Sequence, residues 1–322
     1  MQHTHARWAI VLAAGEGSRL SSLTTDAEGR VVPKQYCSLD GRDSLLGSAR
    51  RRAGRVVPND RILTVVARQH SRWWRAPSTS ALVVQPENRG TAAGVLLPLL
   101  TVLDRDPEAL VMLLPSDHFV EREDLLATAV ERAFAHTSLE PEAIVLLGVT
   151  PHDATADYGW IVPRSPGPDV EPVGRFVEKP GPEVARSLRR QGALWNAFVV
   201  VARAEALRNL YVRRAPWLLL ALQAALAAPQ DRRAAALEQI YATLGPLDFS
   251  RDLLEGSERW LRVLAVPECG WTDLGVPERL AACLSGRTRD LRDTRRPRRR
   301  RARPDLALNL DRTLALTLES IP

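Results

Sequence analysis

"WAIVLAAGEGSRL", residues 8–20, decides the fold. Its opening apolar run is too short for a membrane span and reads as a buried strand. The strand runs straight into Gly15-Glu16-Gly17. A strand ending in G-x-G lets backbone N–H groups approach a phosphate without obstruction by Cβ atoms. Two familiar relatives of this pattern are excluded. A dinucleotide fingerprint needs a third glycine where Leu20 stands, and the next apolar run, "RILTVVARQH" (61–70), lacks a terminal acid for a ribose. A P-loop needs Gly-Lys-Ser/Thr, which does not follow. What remains is a glycine-rich phosphate cradle with Arg19 poised over it.

Outward from this stretch, β-branched apolar runs alternate with helical patterns. Strands are expected at 8–13, 61–67, 81–84, 109–114 and 143–149, with helices near 44–54, 91–104 and 122–136. This alternation predicts βαβ units: an α/β, Rossmann-like, doubly wound and mostly parallel sheet. After residue 150 the order changes. "YGWIV" (158–162) and "RFVE" (175–178), separated by the turn-rich "PRSPGPDVEP", predict a small antiparallel excursion. A strand at 195–201, an Ala/Leu-rich helical region over 203–243, a last strand at 260–266 and a closing helix at 277–284 complete the body. No internal repeat is present.

The chain has 322 residues, is 45% hydrophobic and carries a net charge of +6. That basicity is local. Residues 287–303, "RTRDLRDTRRPRRRRAR", carry a net +8, which leaves −2 for everything else. No aromatic interleaves with these arginines, so binding of nucleic acid or an anionic surface is disfavoured and a solvated extension is expected. The expected organisation is a catalytic domain over 1–286, an Arg-rich linker over 287–304 and a tail over 305–322. In the tail, alternating leucines suggest a hairpin. Cys37, Cys269 and Cys283 are widely spaced and form neither a disulfide framework nor a metal clip, which fits a cytoplasmic protein with no membrane span. His3 and His5 read as part of a frayed terminus.

Among 44 basic residues only Lys34 and Lys179 are lysine, which suggests a need for a compact point charge at these positions, with chance retention of two residues as the alternative. The polar clusters gather at the carboxyl ends of the predicted strands, where open parallel sheets bind ligands. "GEGSR" follows 8–13, "QPENRGT" follows 81–84, "PSDH" follows 109–114, "EKP" follows 175–178 and "GWTD" follows 260–266. Asp117 and Asp273 both fall in such loops. Two carboxylates joined by substrate phosphate oxygens suit Mg²⁺, although each aspartate also fits a helix N-cap.

Together these stretches resemble the sugar-phosphate nucleotidyltransferases, and within them the mannose-1-phosphate guanylyltransferase-like branch. The resemblance rests on "GEGSRL", "PKQ" (33–35), "NRGTA" (88–92), "PSDH" (115–118), "FVEKP" (176–180), "WNAF" (195–198) and "WTDLG" (271–275), in family order over about residues 8–285. It implies a GT-A-like fold and a reaction in which a sugar 1-phosphate attacks the α-phosphorus of an NTP. It further implies Arg19, Lys34 and Lys179 as catalytic cations. Leu12, Ala13, Ala14, Gly15, Gly17, Ser18, Gln85, Gly90 and Thr91 would bind the nucleotide. Asp117, Gly159, Glu178, Lys179 and Asn196 would bind the sugar phosphate, and Asp117 and Asp273 would hold Mg²⁺. GTP and mannose 1-phosphate are the implied partners, and a homodimer is one assembly the sequence allows.

The chain departs from the family pattern at several points. About four extra residues separate Arg19 from Lys34. Gln85-Pro86 replaces a usual Glu-Pro, and Phe198 in "WNAF" stands where a small residue is usual. UTP or dTTP with glucose 1-phosphate is therefore an alternative pair. A non-catalytic nucleotide-sugar-binding regulator is the alternative class, disfavoured because the five charged residues above are all retained. The cupin-like and hexapeptide-repeat extensions of some relatives are not found in this chain, so no second activity is expected.

Overall fold

A computed structural model describes residues 5–281 and 283, apart from residues 18, 19, 22, 27, 40 and 75–80. Among the described residues, a nine-stranded sheet carries helices on both faces. Its strands are β1 (Arg7–Ala13), β2 (Ile62–Ala67), β3 (Ala81–Gln85), β4 (Leu110–Pro115), β5 (Ile144–Val149), β6 (Gly159–Pro163), β7 (Glu171–Glu178), β8 (Leu194–Arg203) and β9 (Leu261–Ala265). The order is β3-β2-β1-β4-β8-β5-β9-β7-β6, with a further pairing of β8 to β6. β1, β2, β3 and β4 pair in parallel, as do β5 and β9. β8 runs antiparallel to both of its central neighbours, β4 and β5. β6 and β7 form the expected antiparallel ribbon.

Alternation along β1 shows why the sheet is covered on both sides. Trp8 and Ile10 enter one core with α2 (Gly90–Arg105), α5 (Ala204–Arg214) and α6 (Pro216–Ala227). Ala9 and Val11 enter the other with α1 (Leu45–Ala53), α3 (Glu123–Leu139) and α4 (Pro182–Arg190). Consecutive strand residues point to opposite faces, so a run apolar at every position needs two cores. A third, small core of Leu20, Leu23, Val32, Tyr36, Cys37, Leu39, Leu45, Leu274 and Leu280 underlies the segment that carries Lys34.

The helical region over 203–243 is three helices, α5, α6 and α7 (Gln230–Thr243). Pro216 opens α6 and Pro229 caps α7, because proline tolerates a helix start but not its interior. Two expectations are corrected. α4 was not anticipated, since only Ala185 and Leu188 of its residues are buried. β7 begins at Glu171, inside the stretch read as a turn, because Glu171 and Pro172 find partners on β9. The closing helix is present over 277–281. The Arg-rich linker and the tail hairpin lie outside the described residues.

One glycine fixes how the last third of the chain meets the sheet. Gly90 has φ +84, and a Cβ there would lie 2.3 Å from the carbonyl oxygen of Leu247. Ala92 N–H donates to that same oxygen at 3.0 Å, and Leu247 N–H donates to Arg89 O at 3.2 Å. Gly90→Ala should therefore destabilise the fold by about 2 kcal/mol or more, read as a lowered urea midpoint with an unchanged slope.

Candidate active site

Gln35 pins the turn after β1. Its Nε2 donates to Ala13 O at 3.0 Å and to Gly15 O at 2.9 Å. Gly17, at φ +62, packs so closely that a Cβ would lie 2.8 Å from Lys34 Cβ. Around Gly15, by contrast, a Cβ would meet no atom within 4 Å, so its backbone faces open space. Leu12, Ala14 and Gly15 line a cavity of about 420 Å³, while Ala13 is buried behind them. Ser18 and Arg19 lie outside the described residues.

Lys34 starts a short 3-10 turn, Lys34–Tyr36, set on the small third core. Its ammonium is buried and donates to Asp117 Oδ2 at 3.0 Å and to the main-chain oxygen of Asp273. The two aspartate loops are stapled together. Phe119 N–H donates to Thr272 O at 2.9 Å, and Thr272 N–H donates back to Phe119 O at 3.0 Å. The Asp273 carboxylate is oriented through Oδ1, which accepts from Tyr158 OH at 2.7 Å, Gly275 N–H at 2.9 Å and Arg279 Nη1 at 3.0 Å. Arg279 also donates to Asp157 Oδ2 at 2.9 Å and lies over the Tyr158 ring at 4.6 Å.

Electrostatics keep both carboxylates ionised. Burial is the largest influence on the Asp117 carboxyl and would raise it, but the charge and hydrogen bond of Lys34, together with His118, hold it below the ordinary range. Burial acts likewise on Asp273, where the Tyr158 hydroxyl, the Gly275 amide and Arg279 prevail and lower it. Burial pushes His118 down to about 4, so its imidazole is neutral at pH 7; it rests edge-on against Trp271, ring centroids 5.3 Å apart. Among the described residues no three His, Cys, Asp or Glu side chains group as an all-protein cage for a metal ion. Asp117 and Asp273 line the cavity as a pair, which fits an ion completed by substrate oxygens.

On the cavity's other flank, Gly159, Glu178 and Asn196 converge. A Cβ on Gly159 would lie 2.5 Å from Glu178 Oε2 and 3.3 Å from Asn196 Cβ, so only glycine leaves this corner open. Burial raises the Glu178 carboxyl, opposed by Lys179, whose Nζ lies 3.0 Å from Glu178 Oε1. Lys179 holds φ +48 and its side chain is 45% exposed, unlike that of Lys34. At the far end Gln85 is buried, its Nε2 donating to Tyr241 OH at 3.0 Å. Gly90 and Thr91 line the cavity and also hold the 247–249 segment, since the Thr91 hydroxyl accepts from Phe249 N–H at 2.7 Å.

The structure thus brings all the expected site residues it describes to one cavity or directly behind its wall. Lys34, Ala13 and Gly17 form the layer behind. Three positioning residues were not assigned roles from sequence. Gln35 stands inside "PKQ" and Tyr158 directly before Gly159, so the motifs were a signal for both. Arg279 carried no motif signal of its own: it stands six residues after Asp273, beyond "WTDLG", and its second partner, Asp157, lies 122 residues away.

The sequence profile described as "Nucleotidyl transferase" matches residues 8–286, and the chain belongs to that family. A xanthan biosynthesis protein, XanB, of Xanthomonas campestris pv. campestris (strain B100) is 30% identical over 203 residues, covering 61% of this chain and 42% of the relative. A mannose-1-phosphate guanylyltransferase of Sinorhizobium fredii is 28% identical over 284 residues, covering 82% of this chain and 52% of the relative. The chain thus spans about half the length of the curated relatives it matches. A solved structure from Thermus thermophilus, described as a mannose-1-phosphate geranyltransferase, aligns with TM-score 0.69 at 26% identity, over 84% of this chain and 76% of that one. The Rossmann-like α/β fold is that of the nucleotidyltransferases.

The depressed carboxyls imply a pH dependence with a definite sign. Asp117 and Asp273 titrate below their unfolded value of about 3.9, so their stabilisation is full above that value and is lost as pH falls through the folded values. Denaturant melts between pH 6 and pH 3 should show wild type losing more stability than Asp273→Asn over that interval.

Proposed function

We propose that this chain transfers a nucleotidyl group from an NTP to a hexose 1-phosphate, with GTP and mannose 1-phosphate as the first pair to test. The observation that carries this reading is the single cavity shared by the glycine-rich turn, the Asp117–Asp273 pair and the Gly159–Glu178–Asn196 corner. A phosphate oxygen of the sugar 1-phosphate attacks the α-phosphorus. The bond from that phosphorus to the bridging oxygen breaks, and pyrophosphate leaves with the bonding pair. Such displacement depends on alignment and charge neutralisation more than on covalent chemistry.

The turn at Gly15 would accommodate the triphosphate, with Arg19 over the β- and γ-phosphates and Lys34 serving the α- or β-phosphate. Asp117 and Asp273 would hold Mg²⁺, which supplies charge neutralisation at the α-phosphate when bound. Lys179 would meet the sugar phosphate. Glu178 and Asn196 would hydrogen-bond sugar hydroxyls. Gln85, with its nitrogen engaged by Tyr241, offers Oε1 to a base N–H such as that of guanine N1. The matched relatives named mannose-1-phosphate guanylyltransferase support the same pair. The catalytic domain is taken as 1–286. Cys37, Cys269 and Cys283 form no disulfide among the described residues, which supports a cytoplasmic setting.

Pyrophosphate release over four NTPs and three hexose 1-phosphates tests the reading: GTP with mannose 1-phosphate should be preferred, with dependence on a divalent cation. No release from any pair with Mg²⁺ present would overturn it. Asp117→Asn and Asp273→Asn should each lower turnover at least ~100-fold, the scale of a lost electrostatic contact to the transition state. Near-normal turnover in both would remove the metal assignment.

A further inference from the structure

Phe198 is a residue of the cavity wall that the roles above leave unassigned. It sits where β8 leaves its ladder. Val200 faces Leu146 on β5, whereas Asn196 faces Gly148, so a four-residue step along β8 matches a two-residue step along β5. Residues 197–199 therefore bulge, and bulges re-aim side chains. Phe198 stands at the centre of this bulge with φ +55. That left-handed conformation costs a non-glycine residue about 1 kcal/mol or more, a cost glycine would escape.

The ring is braced on one side, and the backbone of the same residue is tied to the Gly159–Glu178–Asn196 corner. It lies against Phe249, ring centroids 6.0 Å apart, and Phe249 is itself fully buried and held by Thr91. The Phe198 N–H donates to Asn196 Oδ1 at 3.0 Å. This bond engages the amide oxygen of Asn196, a residue of the cavity lining, and leaves Nδ2 as the side chain's donor. Asn196 in turn flanks Gly159 beside Glu178. The same bulge thus sets both the hydrogen-bonding sense of Asn196 and the position of the phenyl wall.

We propose that Phe198 is a specificity-determining residue that limits the space at the hexose end of the cavity. It admits a hexose 1-phosphate bearing only hydroxyls and excludes one with a bulky substituent such as an N-acetylamino group. This rests on the nucleotidyl-transfer reading. Two variants separate bulk from strain: Phe198→Gly removes the ring and the left-handed penalty, and Phe198→Ala removes the ring alone.

In both variants, kcat/KM for an N-acetylhexosamine 1-phosphate relative to the parent hexose 1-phosphate should rise at least tenfold, with the KM for the NTP within twofold of wild type. In thermal melts Phe198→Gly should equal or exceed Phe198→Ala, the reverse of the usual order. An unchanged substrate ratio in both variants, with wild type active, overturns the assignment and leaves nucleotidyl transfer standing. A change in NTP preference in place of sugar preference also overturns it. A lower melting temperature for Phe198→Gly than for Phe198→Ala overturns the strain that the argument rests on. Absence of turnover by wild type and both variants with every pair overturns the transfer reading and this proposal together.

Discussion

The Lys34 ammonium, held between the Asp117 carboxylate and the main-chain oxygen of Asp273, is the interaction on which the site depends. A buried cation is tolerable only if it is paired and hydrogen-bonded, and removing one partner leaves the other uncompensated. Three distant segments must therefore arrive together: the loop after β1, the end of β4 and the loop after β9. The fold secures this with backbone bonds. Ser116 N–H donates to Leu12 O at 3.0 Å, and Phe119 and Thr272 exchange bonds across the two aspartate loops. The third core then seals Lys34 from below, with Leu274 joining Val32 and Tyr36.

The two lysines stand out in a chain that otherwise uses arginine, yet their surroundings differ. Lys34 is 6% exposed, with Gly17 packed against its Cβ and two acceptors close to one nitrogen. A planar guanidinium needs room for several donors in one plane, and a single ammonium suits this enclosure better. Lys179 is half-exposed and hinged at a positive φ beside Glu178. Enclosure cannot be its reason for being lysine. Under the proposed transfer, the group it would meet is the phosphate of the sugar 1-phosphate.

Most of the parallel half of the sheet was legible in the sequence. Its inner strands are buried on both faces, so they read as continuous apolar runs, and β1 through β5 lie within about one residue of expectation. The side of the site with the glycine-rich turn and the two aspartates was legible for a related reason: the parallel strands β1, β3, β4 and β9 deliver their carboxyl ends to one edge. The Gly159–Glu178–Asn196 corner instead rests on the antiparallel β6, β7 and β8, and only its motifs signalled it. What escaped depends on non-local pairing. The start of β7 is polar and interrupted by Pro172, and only its partners on β9 make it a strand. The bulge that aims Phe198 depends on a register between β8 and β5 that no local pattern encodes. Arg279 owes its place to two carboxylates of the cavity wall, Asp273 and the sequence-distant Asp157.

Asp117 and Asp273 are proposed to form one cation site completed by a nucleotide. Mn²⁺ titration followed by electron paramagnetic resonance, with and without GTP, tests it most directly. One Mn²⁺ should bind per chain, more tightly with the nucleotide, and that tightening should be lost in both Asp117→Asn and Asp273→Asn. Equal Mn²⁺ affinity in wild type and both variants, with the nucleotide bound, would contradict it.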